Sequence, residues 1–289
     1  MGGFFSLLWM PQKVYIPENI EQDEPICYEV QEIGKPKCMF TKTPYKYGLL
    51  VGINYITNKT EEDDLQGCVN DMDNLSTYLQ EHCHFNKEQL SLLKNKEASR
   101  ENIIKELNYM VFHSHKFPNS ELWFSYSGHG SSKFSFFEKD YQSEVICPSD
   151  YITAGMISDV WLQDNFIRKL HKDTKLFVLM DCCHSGSNMN LPYELVQGRE
   201  EKREYNYNEN LCTIVKMSGC RDDQTSADYY DNQEREYQGA LTNEFLKLNA
   251  QSSMATNIQI MERNLINRQF TQRPVLAFSN VTCSEMTLV

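Results

Sequence analysis

"KLFVLMDCCHSGSNMNLPY", Lys175 to Tyr193, decides how the chain is read. Leu176 to Met180 is an unbroken apolar run, which suits a strand buried on both faces. Where that strand should end come Asp181, Cys182, Cys183 and His184. Similar runs occur in "KYGLLVGINY" from Lys46, "SELWFSYSGHGSS" from Ser120, "LCTIVKMSGC" from Leu211 and "RPVLAFSN" from Arg273. A shorter candidate, "LSLLKN", lies near Leu90. Between them lie stretches of helical spacing: "GCVNDMDNLSTYLQEHC", "SRENIIKELNYMVFHSH", "ISDVWLQDNFIRKLH", "GALTNEFLKLNA" and "ATNIQIMERNLINR". The second opens on the capping pattern Ser99 then Asn102. The third carries Ile157, Val160, Trp161 and Leu162 on its apolar side. Strands alternating with helices give an α/β fold, with a mostly parallel sheet covered on both faces.

In such sheets the ligand crevice lies at the carboxyl ends of the strands. Three of those ends carry chemistry. The first leads to Asp71, the second to Ser127 and His129, and the third to Asp181, Cys182, Cys183 and His184. If the strands are parallel neighbours, a histidine and a cysteine share one rim, the minimum for nucleophilic catalysis. Residues i and i+2 of a strand share a face. Asp181 and Cys183 then point one way and Cys182 the other, so Cys183 is the candidate nucleophile and Cys182 packs. Gly128 and Gly130 bracket His129, and glycines let backbone approach a substrate closely. Zinc on Cys182, Cys183 and His184 is disfavoured, because adjacent ligands lack zinc-site spacing.

The chain has 289 residues, 40% of them hydrophobic, and a net charge of −12. That is enough for a sizeable core, and it argues against a nucleic-acid binder working through phosphate contacts. Ten cysteines without a CxxC pair or a secretory signal point to free thiols in a reducing, cytoplasmic setting. Cys38, Cys147 and Cys212 read as filler. Residues 1–44 hold five prolines and no clean period, as in an extended arm or pro-segment. Residues 45–289 form the domain, with an exposed charged loop at about 194–210. "MGGFFSLLW" fits an N-myristoylation pattern at Gly2, or a chance match, so peripheral membrane association is one expectation. No stretch is long enough to span a bilayer.

"LLVGINY", "LQGCVNDMDNL", "FSYSGHGS", "VLMDCCHSGS", "LPY" and "MSGCRDDQTSAD" stand in one order along Lys46 to Asn280. That order resembles type I metacaspases, the caspase-like cysteine peptidases of clan CD. A histidine some 50 residues before the cysteine is the caspase-type arrangement. The resemblance implies a caspase-like three-layer α-β-α sandwich around a mostly parallel six- to eight-stranded sheet. It implies hydrolysis of proteins or peptides after Arg or Lys. Cys183 would be the nucleophile and His129 the general base and acid. The N–H groups of Gly130 and Cys183 would form the oxyanion hole. Asp71, Asp181, Ser127 and Cys68 would form the substrate pocket, where paired carboxylates meet a guanidinium. The alternatives are a helix first-turn acid for Asp71 and a turn acid for Asp181. A monomer is expected.

The sequence departs from the family at the acids that hold an activating calcium ion. Asp140, Glu144, Asp150 and Asp159 are retained. Val160 replaces one of a pair of acids and Asn190 replaces another. Calcium takes about six to eight oxygen ligands, so weak or absent calcium activation is expected, with no cofactor required. Arg199, Lys202 and Arg203 are either self-cleavage points or a solvated charge run, and Lys42 and Lys46 are weaker cleavage candidates. The expected function is a cysteine endopeptidase. The other expectation is a catalytically weak, membrane-tethered regulatory scaffold.

Overall fold

The computed structural model describes residues 44–56, 64–134, 142–182, 189, 191–196, 199–202, 212–219, 228–231 and 235–289. All belong to one compact unit, Lys37–Val289. Its first half runs β1 (Lys46–Gly52), α1 (Cys68–His82), β2 (Leu90–Lys94), α2 (Arg100–Lys116), β3 (Glu121–Ser127), β4 (Gly130–Phe134), β5 (Gln142–Ile146), α3 (Tyr151–Ala154), β6 (Ile157–Ser158) and α4 (Asp159–Asn165). Then follow β7 (Lys175–Asp181), β8 (Tyr193–Val196), β9 (Arg199–Lys202), β10 (Thr213–Ser218), β11 (Asp228–Asp231), β12 (Glu236–Gly239), α5 (Ala240–Phe245), α6 (Met254–Asn267) and β13 (Val275–Phe278).

Eight strands make the central sheet, in the order β2-β1-β3-β7-β10-β13-β8-β9. β2, β1, β3, β7 and β10 run parallel. β13, β8 and β9 continue the sheet in antiparallel pairings. Two smaller sheets stand apart, β4-β5-β6 and the pair β11-β12.

Side-chain alternation builds the three layers. Leu49, Val51, Phe124, Tyr126, Val178 and Met180 face one core, which Ile103, Leu107 and Met110 of α2 and Leu162 of α4 cover. Leu50, Trp123, Phe177, Leu179, Val215 and Met217 face the other, under α1, α5 and α6 through Leu75, Leu79, Phe245 and Met261. Each fully buried side chain of this size contributes on the order of 2 kcal/mol. The caspase-like sandwich and its strand number are therefore as expected.

Three local expectations change. Residues 194–210 are not wholly a loop: β8 pairs with β13, and β9 pairs with β8, placing Arg199 opposite Val196 and Lys202 opposite Tyr193. The charged composition hid this because Tyr193 and Leu195 alone supply the apolar face that packs on the second core. Ile157 and Ser158 form a strand, not a helical turn, and Ser158 caps α4 by accepting the Trp161 N–H. Val160 is then exposed rather than on the apolar side, whereas Leu162 is fully buried. The segment from Ser120 is a buried strand ending in the turn at Gly128 and His129, as expected, and β4 follows that turn. At α2 the Ser99 cap is as expected, its hydroxyl accepting the Asn102 N–H.

Candidate active site

The parallel strands β1, β3 and β7 lie side by side in register, Gly52 beside Ser127 and Ser127 beside Asp181. Their carboxyl ends therefore open at one place. Gly52, the last residue of β1, and Asn54 and Tyr55 just beyond it organise that place. An added Cβ on Gly52 would stand 2.5 Å from the Cys68 carbonyl oxygen, so glycine is what lets α1 begin against the strand. Asn54 then caps that helix from outside it. Its Oδ1 accepts the Val69 N–H at 3.1 Å and its Nδ2 donates to the Gln66 carbonyl at 3.3 Å. The Asn54 backbone is held in turn by Asn95 and Leu65. Tyr55 follows with φ +58°, a left-handed conformation that costs a bulky residue on the order of 1–2 kcal/mol.

Tyr55 lies under His129, with ring centroids 4.4 Å apart and planes inclined by 34°. The His129 N–H donates to the Tyr55 hydroxyl at 3.0 Å. The His129 carbonyl accepts from the Tyr126 hydroxyl at 2.8 Å and from the Cys147 N–H at 3.1 Å. A Cβ on Gly128 would lie 2.9–3.0 Å from both tyrosine hydroxyls. That glycine therefore makes room for the tyrosines, where the sequence suggested room for substrate.

The acids come together beside this turn. Asp71, in the first turn of α1, and Asp181, the last residue of β7, are 2% and 6% exposed. Asp71 accepts the Ser127 hydroxyl at 2.7 Å and the Gly239 N–H at 2.9 Å. Asp181 accepts both the Thr242 N–H and its hydroxyl at 2.9 Å. The Cα of Gly239 sits between them: a Cβ there would stand 2.7 Å from Asp71 Oδ2 and closer still to Asp181 Oδ2. Beside them is a cavity of about 10 Å³ bounded by Asp71, Ser127, Thr242, Val51, Met72 and Leu179, room for about one water. Cys68, one helical turn before Asp71 on the same face of α1, is buried.

Residues 46–192 match the metacaspase, peptidase C14 domain. The chain belongs to the metacaspase family. Metacaspase-1 of Candida albicans is 28% identical over 298 residues, covering 81% of this chain and 65% of that protein. Metacaspase-1 of Saccharomyces cerevisiae is 26% identical over 91% of this chain and 73% of its own length. Metacaspase-1B of Aspergillus terreus is 26% identical over 82% of this chain and 76% of its own. This chain thus spans just under two thirds of the Candida relative. Among solved structures, a protein of Geobacter sulfurreducens superposes with a TM-score of 0.61 at 18% identity, covering 84% of this chain and 98% of that one. The likeness concerns the fold. By descent this is a member of a family of cysteine-type endopeptidases.

In this metacaspase, Cys182 packs into the first core at 1% exposure, as the alternation required. Cys183 and His184 lie outside the described residues, as do Asp140, Asn190, Arg203, Lys42 and Gly2. Gly130 opens β4, opposite Ile146. Lys46 is in β1, ion-paired with Glu121 at 2.9 Å, where cleavage would have to extract a core strand. No described helix is long and apolar enough to cross a membrane.

Of the described calcium acids, two come together and one lies elsewhere. Glu144 and Asp159 are both buried, and the pairing of Val145 with Ser158 brings them to one end of the small sheet. Asp159 Oδ1 accepts the Val160 N–H at 2.7 Å. Asp150 accepts the Arg100 N–H at 2.8 Å, which commits it to the start of α2. Among the described residues no group of three or more His, Cys, Asp or Glu could hold a metal ion.

Sequence reasoning missed Asn54, Tyr55, Tyr126, Gly239 and Thr242. Asn54 and Tyr55 stand inside the quoted "LLVGINY", but their partners are remote in sequence. Gly239 and Thr242 stood in a segment read only as a helix.

Proposed function

We propose that the chain is a cysteine endopeptidase that cleaves after Arg or Lys through a Cys183–His129 dyad, with little or no dependence on calcium. The observation that carries this is that two buried acids, Asp71 and Asp181, stand on either side of Gly239 at the adjoining strand ends that also carry the His129 turn. Two carboxylates buried side by side repel one another. A guanidinium or ammonium group offsets that repulsion and hydrogen-bonds to both acids, whereas a substrate aspartate would add to it.

In the proposed reaction His129 takes the Cys183 thiol proton as sulfur attacks the carbonyl carbon. The Gly130 and Cys183 N–H groups receive the developing oxyanion. His129 then protonates the leaving amine. Water, deprotonated by His129, hydrolyses the thioester and returns the free thiol. The acid pair acts before chemistry, by fixing the substrate side chain.

The test is a peptide panel with Arg, Lys or Asp before a reporter group, run with chelator and with added calcium, beside Cys183→Ala and His129→Ala. Turnover of the Arg and Lys peptides only, abolished in both variants and unchanged within about twofold by calcium, is the expected result. Loss of all turnover in chelator would overturn the calcium proposal. Absence of turnover in the parent under every condition would favour a binding scaffold.

A further inference from the structure

The β4–β5 ladder pairs Gly130 with Ile146, so its next rung would join His129 to Cys147. At that rung the Cys147 N–H still donates to the His129 carbonyl at 3.1 Å, while the Tyr55 hydroxyl bridges the opposite pair and the Tyr126 hydroxyl stands against both. The His129 N–H donates to Tyr55 Oη at 3.0 Å, and Tyr55 Oη donates to the Cys147 carbonyl. On the other side the Cys147 N–H also reaches Tyr126 Oη at 3.1 Å, and Tyr126 Oη lies 2.8 Å from the His129 carbonyl and 2.9 Å from the Cys147 carbonyl, both acceptors for its proton. The two hydroxyls touch each other at 2.9 Å. Each phenol has a single proton, so the two hydroxyls and the two backbone carbonyls form one shared cluster, in which Tyr55 Oη accepts the His129 N–H.

The two hydroxyls come from the strand ends that flank the site, Tyr126 from β3 and Tyr55 from just beyond β1. Both rings are almost wholly buried, and burial holds both phenols well above their usual range, so each keeps its proton. The left-handed backbone at Tyr55 and the glycine at 128 are what this cluster requires. Tyr55 also presents its ring face to the imidazole.

We propose that Tyr55 and Tyr126 are positioning residues for His129, their hydroxyls fixing both its backbone N–H and its carbonyl so that the imidazole is held in one place. The role rests on the reading of His129 as the base. It supplies an orienting element for the dyad, delivered through the His129 backbone.

The test compares Tyr55→Phe and Tyr126→Phe with the parent, counting active sites by labelling of Cys183 against a Cys183→Ala blank. A misplacement of about 1 Å costs on the order of a hundredfold in rate. The expected result is a fall in kcat per labelled site of about tenfold or more in each variant. KM should stay within about twofold, and alkylation of Cys183 by iodoacetamide should slow. The double variant should lose less than the product of the single losses, since the hydroxyls share partners. A merely structural role would instead lower the labelled fraction and the unfolding midpoint while leaving kcat per site at the parental value. That outcome overturns the proposal. Turnover retained by His129→Ala means the dyad reading itself has failed. An inactive His129→Ala beside parental tyrosine variants sinks the positioning role alone. Should Tyr126→Phe fail to fold, Tyr55→Phe decides.

Discussion

Gly239 has almost no free space around its Cα. A methyl group there would press on Asp181 Oδ2 and stand 2.7 Å from Asp71 Oδ2. Overpacking of this kind costs about 1–3 kcal/mol, and here the strain falls on the two carboxylates themselves. Gly239→Ala is therefore expected to raise KM for Arg peptides at least tenfold while the fold survives, measured by steady-state kinetics beside far-UV circular dichroism. An unchanged KM would mean that the acids do not meet the substrate side chain. Some of this residue-level detail was open to reading and some was not. Strand alternation separated Cys182 from Cys183 because it needs only the period of the chain. The tyrosine bridges span 74 residues between Tyr55 and His129, and no local pattern reports such a partner. Gly128 was noticed, but its glycine is explained by hydroxyls that only the folded chain brings near.

Elements fared according to how much of their apolar face they carry themselves. β1, β3, β7 and β10 read clearly because both of their faces are buried. β8 and β9 did not, since an edge pair needs little apolar sequence and borrows its register from β13. α2 shows another limit of local reading. Its His113 is buried in an aromatic stack with Tyr45, Tyr109 and Phe117, and its Nδ1 has no hydrogen-bond partner. Burial, helped by Lys116, lowers its pKa from 6.5. The sign of the consequence follows directly. Below about pH 6.5 the unfolded chain binds a proton that the folded chain resists, so stability falls as pH drops through this range. His113→Phe should flatten that fall while keeping the stack. The check is the urea midpoint at pH 7.5 and at pH 5.5, and parallel declines in parent and variant would count against it.

At the scale of the whole molecule, strand order does most of the work. Placing β3 between β1 and β7 is what delivers Asp71, His129 and Asp181 to one rim, although they lie 58 and 52 residues apart in the chain. The sheet and its layers were legible because alternating strands and helices leave few ways to bury both. The pocket's closure by α5 was not, because Gly239 and Thr242 meet Asp181 only after β11 and β12 have brought the chain back. The net charge of −12 likewise could not locate the acids that matter. The claim that joins these levels is that Asp71 and Asp181 receive a cationic side chain beside the dyad. It is tested by kcat/KM for matched Arg and Gln peptides in the parent and in Asp181→Asn. The expected result is a preference for Arg of at least a hundredfold in the parent, falling to tenfold or less in the variant, with Cys183 labelling unchanged. An Asp181→Asn enzyme that keeps the full preference for Arg would contradict it.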